Sequence, residues 1–131
     1  MYAAPEDLVT RFGEREMAQI AGDAAPTNAK LLAACLDAAQ LADSYLSRAV
    51  VLPLAAVPAV LVGVCADIAR YRLCAASGVL ITEEIRNRYQ IDVLNLLKAL
   101  AKGDVQLGAD SAGKEAESSD TGIVFARPKN K

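Results

Sequence analysis

The chain contains no histidine and no tryptophan, and only two Phe and four Tyr among 131 residues. Without His it lacks the side chain most often used as a general base near neutral pH and the commonest metal ligand. Most metal centres and every His-activated Ser or Cys nucleophile are therefore excluded. The eight glycines are scattered and match neither the GxGxxG nor the GxxxxGK spacing that cradles phosphates. Cysteine is scarce too: Cys35, Cys65 and Cys74 form an odd set without a CxxC pair, in apolar surroundings. They read as buried thiols in a reducing compartment. Cys65 and Cys74 are nine apart, which on one helix places them on opposite faces and keeps them from sharing a metal or a disulfide. An excess of one charge sign is also missing, with 14 basic against 16 acidic residues and a net charge of −2. No overall basic field is available to hold a polyanion. Residues 1–7 have neither a positive n-region nor an apolar h-region, so no signal peptide is expected there.

Apolar residues make up 53% of the chain, dominated by Ala, Leu and Val. A core of small aliphatic side chains suits close-packed helices better than a sheet, and the length suits a single domain. Pro5 is placed to open a short helix to about Arg11, with Glu6 and Asp7 at the positive end of its dipole. Gly13 permits a turn into a second short helix over Glu14–Ile20, and Thr27 is a candidate cap for the next. From Thr27 or Asn28 to about Arg48, the stripe Leu31, Cys35, Ala38, Ala42 and Tyr45, flanked by Leu32, Leu36, Ala39 and Leu46, predicts a long amphipathic helix. Lys30, Asp37, Gln40, Ser44 and Ser47 mark its polar face.

Residues 49–66 form an uncharged run of 18, a length at which a membrane span must be considered. Pro53, Pro58 and Gly63 interrupt it, so a buried crossing loop followed by a helix is the expected reading. That helix runs from Pro58 to about Ala76, with Leu61, Cys65, Ile68 and Ala75 near one stripe and Asp67 and Arg70 spaced to pair on its surface. Thr82 is a good N-cap for a last helix, in which Ile85, Tyr89, Val93, Leu96, Leu97 and Leu100 are apolar and Gly103 is the stop. The predicted fold is mainly α, a compact bundle of about four to five helices over residues 1–107. A Gly/Ser/Asp/Glu-rich flexible linker over 108–122 and a C-terminal arm over 123–131 follow, the arm being able to form a short strand. Its apolar patch, Ile123, Val124 and Phe125 with Arg127 and Pro128, is the candidate assembly interface, as a strand that adds to a neighbouring subunit would be. A frayed end packing on its own chain is the competing reading.

Candidate chemistry is sparse. Glu83 and Glu84 diverge around a helix and read as first-turn dipole partners. Arg86 and Arg88 near Tyr89, and Tyr71 between Arg70 and Arg72, fit a solvated face better than a phosphate contact. No catalytic, cofactor-binding or metal residue is expected, and hence no enzyme.

The opening Tyr2-Ala3-Ala4-Pro5-Glu6-Asp7-Leu8, followed by Arg11-Phe12-Gly13-Glu14, resembles that of the Mu-like prophage head-tail connector family, a domain of unknown function. Tyr45-Leu46, Pro53-Leu54 with Val57-Pro58, Asp67-Ile68-Ala69-Arg70-Tyr71, Ile85-Arg86-Asn87-Arg88-Tyr89 and Phe125-Ala126-Arg127-Pro128 resemble it as well, so the likeness covers nearly the whole chain. Ala49 departs from it, standing where members often carry an aromatic. Such proteins are similar to the head-completion adaptors of long-tailed phages. The resemblance implies that residues 1–107 are a helical adaptor domain and that the chain assembles with itself as a ring. The phage portal protein and tail or neck proteins are its implied partners, with no membrane and no sequence-specific nucleic acid. It implies a place at the virion head–tail junction, reached from the bacterial cytoplasm during assembly. A small helical phage regulator that places Arg86 and Arg88 in a DNA groove is the alternative.

Overall fold

The first helix begins where proline costs nothing. Pro5 has no N–H to leave unbonded in the first turn, and the Asp7 carboxylate accepts the Ala4 N–H at 2.9 Å. In the computed structural model, which describes residues 1–79 and 81–103, α1 spans Pro5–Phe12 and α2 Glu14–Ala21. Between them Gly13 adopts φ +97°, a backbone conformation that side chains disfavour. The next helix, α3, spans Ala29–Leu46. Its cap is Asn28 and not Thr27. The Asn28 side-chain oxygen accepts from Lys30 N at 2.8 Å and Leu31 N at 3.1 Å, while its amide donates to Ala21 O and to Asp23 Oδ1, both at 3.0 Å. Only an amide side chain can accept and donate in this way, so it closes the 22–28 turn as well as starting α3.

α4 spans Ala59–Ser77 and stops at Gly78 in the left-handed conformation. Thr82 caps the last helix, its Oγ1 accepting from Ile85 N at 3.2 Å. The expected uninterrupted helix is instead built of three pieces in succession, α5 (Glu83–Asn87), a π-helical turn (Arg88–Val93) and α6 (Leu94–Lys102). The described residues thus form five helical rods, counting these three pieces as one, and contain no strand. Residues 104–131 lie outside the described residues. The linker over 108–122, the arm over 123–131 and the interface residues Ile123, Val124, Phe125, Arg127 and Pro128 fall there.

α4 is the axis of the fold. It packs against α1, α2, α3, α5 and the π turn, while α6 leans on α3. Its buried residues accordingly run round the helix: Leu61, Val64, Cys65, Ala66, Ile68, Ala69, Leu73 and Cys74. A helix apolar on most sides is one enclosed by its neighbours. Cys65 and Cys74, on different faces, are both buried for that reason. Ala75, predicted to lie near the buried stripe, is exposed instead.

On α3 the predicted stripe is buried at Leu31, Cys35, Ala38 and Ala42, whose alanines let α4 approach closely, but Tyr45 is only half-buried and the flanking Leu46 is inside in its place. Leu36, predicted to flank it, is 52% exposed. The connector 47–58 is not the buried crossing loop expected. Val50 and Pro58 anchor its ends in the interior, but Val51 and Val57 face solvent. It has few backbone hydrogen bonds of its own to satisfy inside a core, so it runs over the surface.

Candidate functional site

Four helices meet around Arg70, the one charged residue buried among the described residues. Its guanidinium holds Glu16 of α2 in a two-point grip, Nε to Oε2 at 2.6 Å and Nη2 to Oε1 at 3.0 Å. Phe12 of α1 lies beneath it, the guanidinium carbon 4.3 Å from the ring centroid. Glu84 of α5 stands 3.8 Å from Nη1 and is shared with Arg88, at 3.2 Å. Arg88 reaches back to Asp67 of α4 at 3.6 Å. The chain of charges Glu16–Arg70–Glu84–Arg88–Asp67 ties α2, α4, α5 and the π turn together, with α1 attached through Phe12. Beside it Tyr71 of α4 and Tyr89 of the π turn stack with ring centroids 4.2 Å apart and an interplanar angle of 10°.

This arrangement corrects the predicted Asp67–Arg70 surface pair. The two residues lie on the same helix, but each is drawn to a partner from another element, and Arg70 is inside. Glu84 is more than a dipole partner. Arg88 is exposed, as expected of a solvated face, and there it meets two carboxylates. Arg86 is exposed. Tyr71 serves as an anchor through its stack. Nothing in local spacing points to Glu16, which is 54 residues from Arg70.

The electrostatics fit a structural tie. Burial pulls the Arg70 pKa down, but the hydrogen bond and charge of Glu16, with the charge of Glu84, outweigh it and leave the guanidinium more firmly protonated than usual. Burial holds Asp67 above the ordinary carboxylate range, although Arg88, Arg70 and Arg11 pull it back. The three thiols are free and buried. Burial, with nearby carboxylates, pushes Cys35 up to about 11 and Cys65 up to about 12, and raises Cys74. Such thiols are protonated and unreactive at neutral pH. Cys65 Sγ donates to Ala38 O at 3.8 Å, across the α3–α4 contact. Close to Cys65, Tyr2 donates its phenolic hydrogen to Asp43 of α3, and burial together with this carboxylate raises its pKa. Among the described residues no cluster of three or more His, Cys, Asp or Glu side chains could hold a metal, and no helix is long and apolar enough to cross a membrane.

The described surface carries exposed aliphatic side chains and open grooves. Leu36, Val51, Val57, Val60 and Ile91 are between 44% and 55% exposed. One open groove runs between the start of α4 and the π turn, lined by Arg11, Val60, Gly63, Asp67, Asp92 and Leu96. A second lies between α3 and the end of α4, where Ala33, Ala34, Leu73 and Ala76 are rimmed by Lys30, Asp37 and Arg72.

A family model described as "Bacteriophage Mu, Gp36" matches residues 2–126. A relative from Haemophilus influenzae, the Mu-like prophage FluMu protein gp36, is 36% identical over 127 residues, covering 95% of this chain and 87% of that protein.

Proposed function

Since the chain belongs to the bacteriophage Mu gp36 family, we propose that it is a non-enzymatic structural protein which joins the phage head to the tail, assembling as a ring between portal and tail. The observation that carries this reading is a match to a phage family over residues 2–126, nearly the whole chain. The connector role itself comes from the resemblance of its motifs to phage head-tail adaptors. The helical body supports it in kind. Five of its charges are tied to one another around Arg70, and its exposed aliphatic side chains give neighbouring subunits something to bury. A ring is built from heterologous contacts, in which each subunit offers one patch and accepts another. The near-neutral net charge suits a piece that surrounds a DNA channel without gripping it.

The test is co-sedimentation of the purified protein with DNA-filled, tail-less heads, beside a form truncated after Gly108. Saturable binding at the portal vertex is the expected result, and its loss on truncation would assign docking to the arm. Failure of the full-length chain to bind heads would sink the connector reading. Salt-dependent DNA binding would then favour the regulatory alternative, which already has to recruit an Arg88 committed to Asp67 and Glu84.

A further inference from the structure

We propose that the groove between the start of α4 and the π turn is the docking site for Ile123-Val124-Phe125 of the same chain. The groove is apolar along its floor, where Val60, Val64, Val93 and Leu96 meet, and Val60 is 44% exposed. Gly63 leaves room on the floor, where the Arg11 guanidinium lies over it. The atoms nearest to a Cβ there would be those of the Arg11 guanidinium, with Nη1 at 3.3 Å. Asp92 and Asp67 stand among the lining residues against the single cation Arg11. Asp67 is already paired with Arg88, whereas Asp92 makes no salt bridge among the described residues.

The segment matches on both counts. Residues 123–131 put three large apolar side chains ahead of Arg127, Lys129 and Lys131, with no acidic side chain among them. The other apolar groove, rimmed by Lys30 and Arg72 against one Asp37, has the wrong sign for such a tail. In the cleft beside Cys74, Glu16 and Glu84 are taken up by Arg70 and Arg88.

Reach favours the chain's own groove. From Val93 in the lining to Gly103 is about 15 Å along α6. The 20 residues from Gly103 to Ile123 are long enough to cover that distance, since a chain of that length reaches up to about 70 Å. A tether that covers the span holds its end near the groove at an effective concentration on the order of millimolar. No second copy competes with that in dilute solution. The free subunit thereby keeps an apolar surface covered until a partner displaces the tail.

This inference stands apart from the connector reading, because it is read on the purified protein alone. In the full-length chain, Phe125→p-benzoylphenylalanine is irradiated at low micromolar concentration in an equal mixture of 14N- and 15N-labelled protein. Cross-links to peptides carrying Val60 or Leu96, without mixed-isotope products, are the expected result. Cross-links scattered over the surface, or found only between differently labelled chains, overturn the proposal. Adding Asp92→Lys, an exposed position that leaves the helical circular dichroism unchanged, lowers the cross-link yield several-fold. An unchanged yield equally counts against it.

Discussion

Arg70 shows how one side chain can hold several helices. Its side chain is 9% exposed and that of Glu16 27%, so removing either partner leaves a charge with little water to replace it. Glu16→Ala should cost about 3 kcal/mol in urea unfolding. The apolar pair Glu16→Leu with Arg70→Met should recover most of that loss, because it is the orphaned charge that destabilises. A Glu16→Ala variant as stable as the parent would show the grip to be incidental. The buried thiols make a second residue-level prediction. An unperturbed thiol titrates near 9.0, while burial pushes Cys35 and Cys65 in the fold up to about 11 and about 12. Between those values the unfolded chain has released protons that the folded chain still binds. Their contribution is therefore complete below pH 9 and is lost as pH rises, by about 1.4 kcal/mol per pH unit for each thiol. Urea midpoints should fall as pH rises from about 9 to about 11, and Cys65→Ala should flatten the slope.

Among the elements, starts and stops were the most legible part of the sequence. Pro5, Gly13, Thr82, Gly78 and Gly103 all act where their chemistry predicts. Thr27 and Asn28 were not separable by type, since both are good caps. Their environments separate them, and Asn28→Ala should cost about 1 to 2 kcal/mol in thermal melts while Thr27→Ala stays within about 0.5. The Arg70 grip was hidden because it joins residues far apart in sequence, and the exposure of the 47–58 connector because its composition is as apolar as a core. The π turn was legible in principle. Ile85, Tyr89, Val93 and Leu97 follow at three steps of four, and each step drifts about 40° in a regular α-helix. All but Tyr89, which is half-buried, are buried in the structure, so one turn has to take up an extra residue, as a π turn does. Deleting the exposed Gln90 from that turn should restore a regular helix with steps of four, three, four and three. The variant is expected to melt no lower than the parent, and a large loss would show that the π geometry itself supports the fold.

For the whole molecule, the sequence was explicit about fold class and about the absence of His-based chemistry, but silent about a biological role. Composition excludes activities without naming one, and the role was readable only through a likeness spread over the chain. The candidate interface residues Ile123, Val124, Phe125, Arg127 and Pro128 lie outside the described residues. The arrangement of helices around α4 has its own consequence for how the body fails. α1, α2, α3, α5 and the π turn lean on α4, and α6 on α3, so no pair of them encloses an apolar core of its own. Peeling one away exposes a side of α4 and weakens the seating of the rest. Heating should accordingly give a single transition whose calorimetric and van't Hoff enthalpies agree, and native-state hydrogen exchange should find α4 opening only when everything opens. A protein built this way does not yield by degrees under heat or strain. It keeps its shape until the whole body gives way at once.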